Sequence, residues 1–386
     1  MTVRLVDRPE TFHELLAEVA GAPVVALDTE AASFHRYHDR VYLIQLSTPA
    51  LTAVIDPLGV GSLEPIGALL ANEAVEKIFH DADYDLRLFD KEFGFHARNL
   101  FDTRIAAQFL NEPGIGLAAL LEKYFGVTAD KRFQRADWSA RPLSPPMLDY
   151  AAGDTSNLCE LRSILLTQLD QIGRLSWVTE EFGRLEGTRW TAAAADPLAD
   201  FLRMKGARTL ERRALAILRE LHGWRSATAD SLDRAEFRVM GNEVLLELAQ
   251  RPVTSIAQLA AVKGVGRDVA ERRGPAILEA IARGMAVPES ELPRFPRGPR
   301  RAPDPAAELR VEALKKERNA LAEQLQLAPG VLCPNGTLEA IARAEPHDLV
   351  ALGEIPEVRR WQLEVIGAPL LAAMQSAYPT AAVENL

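Results

Sequence analysis

Asp28 and Glu30 stand one residue apart at the end of a short apolar run, Val24-Val-Ala-Leu27. In a strand, residues i and i+2 point to the same face, so both carboxylates converge on one spot. Two neighbouring anions raise each other's pKa, and a divalent cation removes that cost by supplying countercharge. Acid–any–acid is a common triplet, however, and alone it reads equally as an ordinary acidic surface pair. A second group, His80-Asp-Ala-Asp-Tyr-Asp-Leu86, follows another apolar run and adds three acids. Asp85, next to Leu86, is placed inside a helix and facing the same cleft. Asp81 and Asp83 suit the helix start, where negative charge is favoured. His80 reads as a hydrogen-bonded strand-end histidine rather than a ligand. The third group is Asp149-Tyr-Ala-Ala-Gly-Asp154. Tyr150 and Asp154 are four apart and share one helix face, and the small residues between them permit close approach of another element. The plainer alternative is a core tyrosine and a surface acid.

Behind these residues must lie elements that position them. Val24–Leu27, Val41–Leu46 and Thr52–Ile55 read as strands of an antiparallel meander, separated by turn-rich pieces. Glu64–Ala71 reads as a helix, Lys77–Phe79 as a strand, and Asp83–Phe93 as a helix stopped by Gly94. Further helices are expected at Thr103–Leu110 and Leu117–Phe125. Ser144-Pro145-Pro146 marks a helix start, since the missing proline N–H groups would be unpaired there anyway. That helix is expected to run through Leu166.

From about residue 208 the strand signals disappear and Ala, Leu, Arg and Glu dominate. Met285 to Pro305 carries six prolines interleaved with arginines, and reads as a stiff, extended, basic linker. It serves as a spacer, with phosphate contact as the alternative. The helical stretches on either side look like copies. Leu245–Pro252 resembles Thr337–Pro346, and Asn242 and Asn335 fall at matching places 93 positions apart. Each copy closes with an apolar helix, Ala276–Ala282 and Ala368–Met374. A period this long implies a duplicated helical domain.

The 386 residues exceed one ordinary core, and 48% apolar with 25% charged residues is globular composition. No uncharged apolar run approaches the roughly 18 residues of a membrane helix. The opening residues carry no secretory pattern, and two distant cysteines, Cys159 and Cys333, make neither a disulfide framework nor a four-cysteine zinc site. A reducing cytoplasm is expected. The net charge of −10 is unevenly spread. Residues 1–200 hold 18 Lys/Arg against 30 Asp/Glu, residues 201–300 hold 18 against 12, and residues 301–386 hold 8 against 12. An acidic front thus precedes a basic middle. The front reads as a soluble surface or as carboxylates awaiting cations.

The joint order of the three acidic groups resembles the DEDD-type 3′–5′ exonucleases, and Tyr150 places it in their tyrosine subclass; the histidine subclass would carry His where Asp149 stands. Four carboxylates there serve two-metal phosphodiester hydrolysis, with cations roughly 4 Å apart. Oxygen ligands favour Mg²⁺ or Mn²⁺. Tyr42-Leu-Ile-Gln-Leu46, Ile55-Asp-Pro57, Phe101-Asp-Thr103 and Lys131-x-x-Gln134-x-x-Asp137-Trp138-x-x-Arg141-Pro-Leu143 resemble the ribonuclease D branch, and the helical copies resemble HRDC domains. The resemblance covers about residues 3–375. It implies an α/β ribonuclease H-like exonuclease domain, a mixed sheet flanked by helices, followed by two all-α HRDC domains. The expected boundaries are 1–200 for the nuclease, 207–286 for the first HRDC domain, 287–305 for the linker and 306–378 for the second.

By the same resemblance, Asp28, Glu30, Asp85 and Asp154 are the metal carboxylates and Tyr150 the catalytic tyrosine, orienting the attacking water. Asp28, Glu30 and Asp154 hold the first cation; Asp28 and a water-bridged Asp85 hold the second. Asp102 has a structural role. Ala31 departs from the family, which has Phe there. RNA contacts are expected from Lys131 and Gln134 and from the basic first copy, with Arg203, Lys205, Arg208, Arg212, Arg213, Lys263 and Arg267, where a merely solvated basic face is the alternative. Lys263-Gly-Val-Gly266 resembles a turn that presents N–H groups to phosphate. The implied activity is a monomeric 3′–5′ exoribonuclease maturing tRNA precursors or other structured RNAs. A Werner-type DNA exonuclease and a catalytically silent nucleic-acid-binding scaffold are the alternatives.

Overall fold

The computed structural model describes residues 3–128, 130–191, 200–296 and 304–377. Its front half is built on a six-stranded mixed sheet. The strands are β1 (Arg4–Val6), β2 (Val24–Ala31), β3 (Val41–Ser47), β4 (Thr52–Ile55), β5 (Glu76–Phe79) and β6 (Leu100–Asp102), in the order β1-β4-β3-β2-β5-β6. The meander β2-β3-β4 is antiparallel, while β5 and β6 extend it in parallel beyond β2. Alternation sorts the side chains. Val25 and Leu27 of β2 join Ile44, Leu46 and Ile55 under α1 (Pro9–Val19), α2 (Glu64–Ala71) and α3 (Asp83–Phe93). Ala26 faces the other way, with Ile78 and Phe101, against α4 (Thr103–Phe109), α7 (Leu158–Gln171) and α8 (Leu175–Leu185). Asp28 and Glu30 continue the Ala26 side to the sheet's end.

α5 (Leu117–Phe125) ends at Gly126 in the left-handed conformation, where a side chain would be strained. The helix begun at Ser144 does not reach Leu166. It stops as α6 (Pro145–Gly153), and α7 starts afresh at Leu158. The cause is a tight turn: the N–H groups of Asp154 and Thr155 donate to Ala151 and Ala152, three residues back. Thr155 is fully buried there and bonds Ser47 of β3, Oγ1 to Oγ, at 2.8 Å. This break sets Asp154 at the C-terminal cap of α6.

Among the described residues no strand follows β6, and no helix is long and apolar enough to cross a membrane. The helical half is α9 (Asp200–Arg203), α10 (Arg212–Ser231), α11 (Glu236–Val239), α12 (Asn242–Gln250), α13 (Ile256–Ala260) and α14 (Arg267–Ala286), then α15 (Pro305–Gln324), α16 (Pro329–Leu332), α17 (Asn335–Ala344), α18 (Leu349–Gly353), α19 (Arg360–Gln362) and α20 (Ala368–Ala377). The duplication is literal: α10 to α14 begin at 212, 236, 242, 256 and 267, and α15 to α19 at 305, 329, 335, 349 and 360. The paired asparagines have a job in it. Arg225, buried in α10, donates to Asn242 Oδ1 and Met240 O; Arg318, buried in α15, donates to Asn335 Oδ1 and Cys333 O. A buried guanidinium must find acceptors, so each copy keeps the same set.

The expected linker differs in part. Glu289–Glu291 form a 3₁₀ turn, and Phe295 packs against the core of the first helical unit, which Phe201 and Met204 also enter from the other end. Residues 297–303 of that expectation lie outside the described residues.

The second helical unit is welded to the nuclease half. Trp361 stacks on Trp177 at 5.2 Å and meets Phe109 edge-on at 5.3 Å. Glu180 accepts from the N–H groups of Arg360 and Trp361, and Glu181 from the Trp361 indole. The first unit grips the β2–β3 loop: Asp233 accepts from the N–H groups of Tyr37 and His38, and Ala235 N–H donates to His35 O.

Candidate active site

Asp28, Glu30 and Asp154 offer carboxylate oxygens that all lie within 4.8 Å of one another. β2 delivers the first two, and its register slips between Glu30 and Ala31, a bulge at the point where the strand leaves the sheet. The α6 cap delivers the third. Among the described residues none of these, nor Asp85, forms an ion pair. Burial is the largest cause of their shifts, and mutual repulsion adds to it. Asp28 is pushed well above the carboxylate range, by burial and then by Asp85, Asp154 and Glu30. Glu30 is pushed to about 9 by burial, then Asp154 and Asp85; Asp154 is pushed to about 7 by burial. One buried and three half-buried acids without an ion pair are held together at an energetic cost, which is the condition a divalent cation relieves.

Asp85 enters from the first turn of α3 and stands outside the tight trio. Its Oδ1 accepts a short hydrogen bond from Thr29 Oγ1, the residue between the two β2 acids. Alternation points Thr29 to the α3 side while its neighbours face α6, so one tripeptide serves both. Burial raises Asp85 to about 7, and the Thr29 bonds oppose the shift. Nothing in the acid pattern signals Thr29; only the partner 56 positions away does.

Asp102 caps α4 and holds the approach to α3. Its Oδ1 accepts from Arg104 N and Ile105 N, its Oδ2 from Ala82 N at 2.7 Å. His80 bonds Thr103 at 2.9 Å, and burial lowers it to about 4, so it is neutral and turned from the trio. Asp83 begins α3 and pairs with Arg87; Asp81 pairs with Arg104.

Tyr150 shares the α6 face with Asp154. Its ring lies 5.9 Å from both Trp138 and Phe133. Burial and the nearby carboxylates drive the phenol far up, so the hydroxyl stays protonated and is suited to hydrogen bonding rather than to service as a base. A groove of about 280 Å³ opens beside it, lined by Asp130, Arg132, Asp149 and Asp154. Lys131 and Gln134 are exposed on the same segment but do not line that groove. The segment is pinned by Arg141, which donates to Asp56 and to the carbonyl of Tyr42, and by the buried Trp138.

The basic residues of the first helical unit divide into two sets. Arg213 donates to the carbonyls of Met285 and Val287, Arg212 to those of Glu289 and Leu292, and Arg208 lies over the Phe295 ring. These hold the unit together. Lys205, Lys263 and Arg267 are exposed without an ion pair among the described residues, and Arg203 pairs with Asp200 at 3.2 Å.

Known proteins resemble this chain along nearly its whole length. The family described as 3′–5′ exonuclease matches residues 3–170, and the HRDC domain matches twice, at 214–281 and 308–374. Ribonuclease D of Granulibacter bethesdensis is 34% identical over 372 residues, covering 95% of this chain and 91% of that protein. The crystal structure of Escherichia coli RNase D, described as an exoribonuclease involved in structured RNA processing, superposes with a TM-score of 0.68 at 27% identity, covering 98% of this chain and all of that one. The catalytic core of RRP6 from Trypanosoma brucei superposes at 0.66 and 27% identity, over 74% of this chain and 80% of that one. A nuclease domain followed by two HRDC domains, with a third of the residues identical over nearly the full length, decides the matter: the chain belongs to the ribonuclease D family of 3′–5′ exoribonucleases.

Proposed function

We propose that the chain shortens RNA from its 3′ end one nucleotide at a time by two-metal hydrolysis, releasing 5′-monophosphates. The observation that carries this reading is the trio Asp28, Glu30 and Asp154, converging within 4.8 Å with no ion pair to a basic side chain among the described residues. An all-carboxylate donor set fits hard divalent ions, Mg²⁺ or Mn²⁺. Asp28, Glu30 and Asp154 would hold one ion, and Asp28 with Asp85, through water, a second. Such ions supply charge neutralisation at the scissile phosphate and lower the pKa of water. The protein's own part is positional. Thr29 fixes Asp85, Asp102 fixes the start of α3, and the neutral Tyr150 hydroxyl orients the attacking water.

The substrate class we propose is tRNA precursors and other structured RNA with short single-stranded 3′ ends, in keeping with what the Escherichia coli relative is described as processing. We further propose a cytoplasmic monomer whose exonuclease domain spans 1–200 and whose HRDC domains span 207–286 and 306–378. RNA labelled at either end and incubated with Mg²⁺ or Mn²⁺ tests the reading. A 5′ label should give a descending ladder and a 3′ label an immediate mononucleotide, both abolished by EDTA. Internal fragments, undiminished cutting in EDTA, or a preference for the matched DNA would overturn it.

A further inference from the structure

Phe34 lies in the β2–β3 loop, four residues beyond Glu30, hence at most about 14 Å from it along the chain. Its side chain is 42% exposed, and Phe237 of α11, which it meets edge-on at 6.2 Å, is 53% exposed. The Arg135 guanidinium sits 5.1 Å over the Phe34 ring, and that of Arg238 lies 5.7 Å from the Phe237 ring. Back toward the cleft, Phe133 stands against Tyr150. Aromatic rings and guanidinium groups thus recur from the active site to the first HRDC domain.

Two phenylalanines at a domain junction read first as hydrophobic glue. Glue would be buried, and these rings face water. The junction is instead made by polar contacts, among them Arg238 to the Phe34 carbonyl and Asp233 to two backbone N–H groups. The nearby acids are occupied as well: Asp137 faces His35, and Asp233 lies 3.8 Å from Arg36. Arg135 forms no ion pair or side-chain hydrogen bond among the described residues, and Arg238 meets only a carbonyl and His35. Exposed ring faces beside uncompensated guanidinium groups are what unpaired nucleic acid requires, with bases on the rings and phosphates on the cations.

We propose that Phe34, Arg135, Phe237 and Arg238 form a stacking platform, shared by the nuclease and first HRDC domains, for the single-stranded RNA just upstream of the 3′ end being hydrolysed. The assignment rests on the exoribonuclease reading. The test compares Phe237→Ala, Arg135→Ala and Phe237→Trp in the full chain, on a 12-nucleotide unstructured RNA and on a dinucleotide too short to reach the platform. For Phe237→Ala and for Arg135→Ala, KM on the 12-mer should rise about tenfold, the lower range for one lost base–aromatic stack, with kcat and dinucleotide hydrolysis within twofold of wild type. Phe237→Trp should restore the KM. An unchanged 12-mer KM, an equal loss on both substrates, or failure of Trp to rescue would overturn the platform and leave the rings as domain contacts. Anisotropy of a fluorescent 12-mer separates the two levels. A wild type that hydrolyses neither RNA yet binds the 12-mer about tenfold tighter than Phe237→Ala would sink the nuclease reading alone.

Discussion

Replacing Asp28 by Asn should abolish hydrolysis and, in the absence of metal, make the nuclease domain more stable. The trio's oxygens lie within 4.8 Å of one another. At an effective dielectric constant of 20, each fully ionised pair at that separation repels by about 3.5 kcal/mol. Asp28 belongs to two such pairs. The folded protein avoids most of this by keeping protons, which burial already favours: burial raises Asp154 and Asp85 to about 7, and burial, then Asp154 and Asp85, raises Glu30 to about 9. Unfolded carboxylates titrate near 4. The folded state therefore binds more protons between about pH 4 and these raised values. The stability tied to them is fully present below pH 4 and is lost as pH rises through 7 and then 9. After proton uptake and local relaxation, on the order of 1–2 kcal/mol should be regained by Asp28→Asn at pH 8, or a few degrees in Tm for a domain of this size. Thermal melts in EDTA, read on the nuclease transition, measure it. Asp28→Asn should melt above wild type at pH 8, the gap should close at pH 5, and Mn²⁺ should raise the wild type only. A variant less stable than wild type at pH 8, or a gap unchanged with pH, would show that Asp28 is not repelled by its neighbours in the folded protein.

Three further outcomes are expected. Thr29→Val, which keeps the shape and removes the hydroxyl bonded to Asp85, should lower kcat about tenfold and raise the Mn²⁺ concentration needed for half activity, while Thr29→Ser keeps both near wild type. Tyr150→Phe should lower kcat about 100-fold with little change in KM and no change in the alkaline limb of the pH profile, because the phenol never ionises in the working range. Trp361→Ala, which empties a site stacked on Trp177, should cost about 3–5 kcal/mol at that interface and expose the 304–377 unit to limited proteolysis before the nuclease half is cut.

The parts of this protein readable from its residues are those set by short periods. Two acids at i and i+2 share a strand face whatever the fold, and the Pro-Pro start of α6 and the Gly94 stop of α3 are local signals. The 93-residue repeat surfaced through Asn242 and Asn335, although the buried arginines that bond them, Arg225 and Arg318, become their partners only when the helices close. What stayed hidden depends on distant partners. The break before Leu158 is anchored by Ser47, 108 positions from Thr155, and Thr29 gains its role from Asp85. Arg212 and Arg213 count toward a basic face in composition, yet their guanidinium groups are turned onto carbonyls in the last turn of α14 and just beyond it. The docking of the second helical unit through Trp177 and Trp361 has no periodic signal at all.

The proposed hydrolysis requires Asp28, Glu30 and Asp154, with Asp85 beside them, to form a cage for divalent cations. Anomalous diffraction from a crystal soaked in Mn²⁺ measures this directly. The expected map has a strong peak within coordination distance of Asp28, Glu30 and Asp154 and a second near Asp28 and Asp85, both lost in Asp28→Asn. A map with no peak among these carboxylates, or with manganese only elsewhere on the protein, would contradict it.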